Sequence, residues 1–132
     1  MITCAARQIA FKRSQNSWGG ATIRVSDSQF VANDAIGYVF AVGPTIEISE
    51  DANWQEFSEA IEKLEANSPD AAYFGFFHDN RKGTIDLNPV MFVKTRAEVD
   101  AAYNDGVDMP GGAYEMHTGD GYWPQGRPEL YA

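Results

Sequence analysis

Apolar positions along the chain repeat with two periods, and the switch between them marks most of its elements. From about Asp51 to Ala66, the residues Trp54, Phe57, Ile61 and Leu64 recur three and four apart, which lines up one side of an α-helix. Glu56, Glu59, Glu62 and Glu65 fall on the other side, broken only by Lys63, which is spaced to pair with Glu59. Asn53 followed by Glu56 has the capping-box spacing that starts such a helix, and Asn67-Ser68-Pro69-Asp70 ends it. A second box, Thr95-Arg96-Ala97-Glu98, opens a short helix to about Asn104, with Val99 and Tyr103 inward and Gly106 placed to stop it.

Elsewhere the period is two, or the sequence is apolar throughout. Ile2 to Phe11 reads as a strand with Ile9 and Phe11 on one face and Cys4 as a buried small hydrophobe. Ala21 to Val25 alternates again and makes its hairpin partner across the turn-forming stretch from Lys12 to Gly20. Ile36 to Val42 is nearly continuous apolar sequence, as for a central strand covered on both faces, before Gly43-Pro44 bends the chain and Thr45 to Ile48 continues it. Ala71 to Phe77 and Thr84 to Val93 are two further strands around the polar turn from His78 to Gly83. Pro89 has no N–H to donate, which predicts an edge strand or a bulge at Asn88-Pro89.

From Gly106 to Pro128, nine of twenty-three residues are Gly or Pro, interleaved with Tyr114, Met116, Tyr122 and Trp123. Side chains of that size are costly to leave in water, so an ordered loop is expected, with a short strand at Ala113 to Met116. The expected fold is α+β: one domain over residues 1–132, with an antiparallel or mixed sheet of about five or six strands. The main helix packs on one face of that sheet, the short helix lies beside it, and residues 106–132 form a Gly/Pro-rich tail.

Composition supports the sheet. Leucine occurs only at Leu64, Leu87 and Leu130, while aromatic residues make up 13% of the 132. Charge narrows the partners. Nineteen acids against ten bases leave −9, which argues against wholesale wrapping of nucleic acid. The charge is uneven: residues 1–30 carry a net +3 and residues 31–132 a net −12, so the objection to phosphate is weakest at the start. Eight acids and one base crowd into Glu47 to Asp70. The longest run free of charge, Ala35 to Ile46, is too short for a membrane span, and no secretory signal pattern is visible, so a cytoplasmic protein is expected. One cysteine excludes an intrachain disulfide framework and cannot make a zinc site alone.

No GxSxG, HExxH, CxxC, P-loop or dinucleotide fingerprint is present, and no EF-hand loop, so no cofactor and no metal are expected. His78-Asp79 and His117-Thr118-Gly119-Asp120 are the His/Asp neighbourhoods. Converged, His78, Asp79, His117 and Asp120 would suit a metal-assisted or acid–base hydrolase; apart, they are polar turn residues. Glu56, Glu59, Glu62 and Glu65 are either a solvated helix face or a surface for a basic partner. Tyr122 and Trp123, held by glycine and proline, either anchor an interface or cap an open end of the core.

The expectation that follows is a small acidic protein-binding or inhibitory accessory factor that docks a basic surface of a larger protein. In general look the chain resembles small proteins of phages and other mobile elements, without a specific motif to carry the likeness. The competing expectations are the hydrolase and a structural or assembly subunit, using the exposed edge near Pro89 or the tail.

Overall fold

Helix α1 spans Cys4–Ser14, followed by β1 (Gly20–Arg24), β2 (Tyr38–Ala41) and β3 (Ile46–Ser49). Helix α2 (Trp54–Asn67), β4 (Tyr73–Asp79), β5 (Thr84–Val93), α3 (Arg96–Asn104), β6 (Ala113–Glu115) and β7 (Gly121–Tyr122) complete the order in a computed structural model that describes residues 1–109 and 111–126. The fold is α+β, with three helices and seven antiparallel strands among the described residues. The part of the expected tail beyond residue 126, and Pro110, lie outside them. Two compact units form, one from residues 1–31 and 43–90, the other from residues 32–42 and 91 onward, so that β5 runs from the first into the second.

In the first unit β4 is central. It pairs with β1 from Gly20↔Phe77 to Arg24↔Tyr73 and with β5 from Tyr73↔Val90 to Asp79↔Thr84. The other side of β5 carries β3, from Ile46↔Leu87 to Ser49↔Thr84. Alternation then sends Ile23, Phe74, Phe76, Ile85 and Leu87 to one face, where they are buried with Phe57, Ile61 and Leu64 of α2. Asn53 caps α2 with the full reciprocal box to Glu56 that its spacing predicts.

The N-terminal strand is corrected to a helix. Thr3 accepts a hydrogen bond from the Ala6 amide as N-cap, and the Ala- and Arg-rich run behind it has high helix propensity. Wound as a helix, Ile9 and Phe11 leave a common face: Ile9 is 46% exposed, whereas Phe11 packs its ring 5.7 Å from Trp54 and 5.2 Å from Phe57. Ala6 and Ala10 are the buried face instead, small enough to bring the helix close to the core. Cys4, at the first turn, is exposed rather than buried. No hairpin links this segment to β1, whose outer edge is met by the stretch around Phe30: Arg24 N–H donates to Gln29 and Val31 N–H to Thr22.

Pro89 is corrected too. It is buried within β5, paired opposite Phe74, because the pairing with β3 stops at Leu87 and the proline ring lies against Gly43, where a Cβ would approach it to 2.8 Å. A strand can carry proline in its interior where its neighbour has already turned away.

The second unit contains residues 91–93 of β5, then β2, β6 and β7 in that order, with α3. Its core is Tyr38, Phe40, Val99, Met109 and Ala113. The strand expected over 36–42 is shorter, and Ile36 at its start is 70% exposed. Thr95 caps α3 by accepting from the Glu98 amide, and Gly106 follows the helix at φ +97°. Val99 is buried as expected, but Tyr103 stands half out of the core. No helix among the described residues is long and apolar enough to cross a membrane.

Candidate functional site

Capping and the apolar stripe of α2 together fix which way its glutamates point. Phe57, Ile61 and Leu64 face the sheet, so Glu56, Glu59 and Glu62 are exposed on the far side. Glu56 is tied into the cap, and Glu59 accepts from Gln55 Nε2 at 3.2 Å rather than pairing with Lys63. Glu65 differs from the other three. It accepts from Arg7 at 2.6 Å and from the Ile2 amide at 2.8 Å, in a half-buried seam between α2 and the N-terminal helix. Glu47 and Glu50 are also engaged, with Lys82 at 2.7 Å and His78 at 3.0 Å. Among the described residues, no cation lies within 4.0 Å of Asp51, Glu56, Glu59 or Asp70, and Glu62 has only Arg7 at 3.9 Å.

The four His/Asp candidates divide between the units. His78 and Asp79 are the last two residues of β4 in the first; His117 and Asp120 are exposed in the second. His78 points into the core, with Nε2 3.0 Å from Glu50 Oε2, while its buried Nδ1 has no hydrogen-bond partner among the described residues. Asp79 is buried, which raises its pKa, but hydrogen bonds from the Arg81 side chain and backbone outweigh that and hold it below the ordinary carboxylate range. No group of three or more His, Cys, Asp or Glu side chains among the described residues is placed to hold a metal ion.

Tyr122 and Trp123 are both half-buried. The Trp123 indole is wedged between glycines: a Cβ on Gly112 or on Gly121 would come within 2.5 Å of it. The Tyr122 hydroxyl donates to Asp100 on α3, which raises the phenol's pKa.

A polar network that the sequence reading missed surrounds Tyr122. Arg96, first residue of α3, donates from Nε to the Tyr38 hydroxyl at 3.0 Å and lays its guanidinium 4.7 Å over the Tyr122 ring. The Tyr38 hydroxyl in turn donates to Glu115 Oε2 at 2.6 Å, and Thr118 donates to Glu115 Oε1 at 2.7 Å. These two hydroxyls hold the Glu115 carboxyl below its ordinary value, and the bond to Tyr38 raises the Arg96 guanidinium above its own. Register explains part of this, since Tyr38 and Glu115 are partners across β2 and β6. The available signal was Arg96 itself, a cation at a helix N-terminus, where the macrodipole opposes it.

Compared with protein-family models, with curated proteins and with solved structures, the chain has no match in any of the three.

Proposed function

We propose that the protein is a non-enzymatic accessory or inhibitory factor, acting in the cytoplasm, that docks a basic surface of a larger protein through the exposed side of α2. The observation that supports this reading is the row Glu56, Glu59 and Glu62, exposed on a capped, well-packed helix, where among the described residues only Glu62 has a cation within 4.0 Å, Arg7 at 3.9 Å, with exposed Asp51 and Asp70 flanking the helix in sequence. Such a rigid negative row attracts a positive patch over a distance and sets its orientation. A phage or mobile-element setting suits a factor of this size. Glu65 adds little to the surface, because Arg7 neutralises it. Tyr122 and Trp123 add less than their composition suggests, being spent on the second unit's own packing.

The test is reversal of Glu56, Glu59 and Glu62 together to lysine, followed by affinity capture from the native host with mass spectrometry. Loss of a specific partner with an unchanged circular-dichroism spectrum is expected, as is weakening of the wild-type complex by salt. A partner retained by the triple variant would refute the acidic-face docking.

A further inference from the structure

We propose that Arg96 anchors a second binding site, within the second unit, that takes the carboxylate of a ligand. Two neighbours fix this side chain. Tyr38 accepts from Nε at 3.0 Å, the Tyr122 ring lies under the guanidinium at 4.7 Å, and Tyr122 is itself tethered to Asp100. The side chain is nevertheless exposed, and the terminal nitrogens donate to no acceptor among the described residues. A guanidinium held in one orientation with its outer edge open has already lost the rotamer freedom that binding would otherwise cost.

Arg13 also lies over a ring, that of Phe30 at 4.6 Å, but no hydroxyl fixes its Nε among the described residues, and three other arginines of this acidic chain are paired with acids. Arg7 and Arg24 direct donors to Glu65 and Asp27, each at 2.6 Å, and Arg81 lies 3.4 Å from Asp79. Around Arg96 no carboxylate of the described residues comes within 4.0 Å, although Glu115 is only one hydroxyl away. Glu115 accepts from the Tyr38 hydroxyl rather than from Arg96, so among the described residues the terminal N–H groups are left for a ligand.

The chemistry selects a carboxylate over a phosphate. A planar monoanion matches two parallel N–H donors. A dianion would be repelled about twice as strongly by Glu115 and Asp100. The Tyr122 ring blocks one face of the guanidinium, leaving the edge as the approach.

The test follows the Arg96 Nε–H and Tyr38 ring resonances of the whole chain by NMR. Sodium acetate, inorganic phosphate and sodium chloride are added at matched ionic strength. Acetate should shift both resonances saturably, with a dissociation constant on the order of millimolar. Phosphate should bind no more tightly, and chloride should give no saturation. Arg96→Gln and Arg96→Lys should each weaken acetate at least about tenfold, since lysine offers a charge without the fork. Tyr122→Phe, which keeps the ring but releases it from Asp100, should weaken acetate by a smaller factor than either Arg96 variant and supplies the readout should those variants unfold. A peptide with a free C-terminal carboxylate then separates the two sources. Binding tighter than acetate identifies a peptide terminus, and equal binding a small acid. The proposal is overturned by acetate shifts that merely track chloride, by tighter phosphate, by a response that survives in folded Arg96→Gln, or by a peptide amide that binds as well as its free acid. It is also overturned if Tyr122→Phe folds but no longer responds.

Discussion

Gly112 and Gly121 stand where they do because the Trp123 indole leaves no room for a larger residue at either position. Gly121→Ala should therefore cost about 1–3 kcal/mol through forced displacement of the ring, read by a denaturant titration. Gly112→Ala should cost more, because its φ of +70° penalises a side chain as well. Phe57 makes the opposite case. Fully buried, with its ring 5.7 Å from Phe76, it fills space that nothing else can, and Phe57→Ala should cost about 3–5 kcal/mol. The role of Phe57 was legible because helical spacing alone assigns it to the core. That of Arg96 was not, since its meaning depends on Tyr38 and Tyr122, which the chain brings from two distant strands.

Among the elements, α2 could be read to within a few residues, because cap, stripe and stop signal agree. The N-terminal helix could not, because its buried face is built from Ala6 and Ala10, which leave almost no periodic signal, while Ile9 and Phe11 imitate a strand. What holds it is its cap and its ion pair. Thr3→Ala should cost about 1 kcal/mol, measured as a fall in unfolding midpoint, by orphaning the Ala6 amide. Arg7→Ala should cost about 1–3 kcal/mol, because it leaves half-buried Glu65 without its main partner. The interior position of Pro89 was equally hidden in sequence. It depends on where β3 stops, and that is a property of the partner strand rather than of the proline.

At the scale of the whole molecule, charge and topology set the behaviour. Asp79 and Glu115 have folded pKa values below their unfolded ones, so each contributes stability above the ordinary carboxylate range that disappears as pH falls through its lowered value. The unfolding free energy should accordingly drop on acidification below about pH 4, and Asp79→Asn should flatten that drop. The net −9 and its concentration near α2 were legible in the sequence; the neutralisation of Glu47 by Lys82 and of Glu65 by Arg7, and the contact of Glu50 with His78, needed the fold. The position of β4 between β1 and β5 carries a kinetic meaning. Its pairing with β5 closes across a short turn at Gly83, whereas its pairing with β1 joins residues about fifty positions apart. The β4–β5 hairpin and α2 should therefore form the folding nucleus, with β1 and the N-terminal helix docking afterwards. Ile85→Val should chiefly slow refolding and Ile23→Val chiefly speed unfolding, in stopped-flow chevrons. During synthesis the N-terminal segment then waits for strands made after it, and in that interval the long apolar run of β4 is the part of the chain most exposed to misassembly.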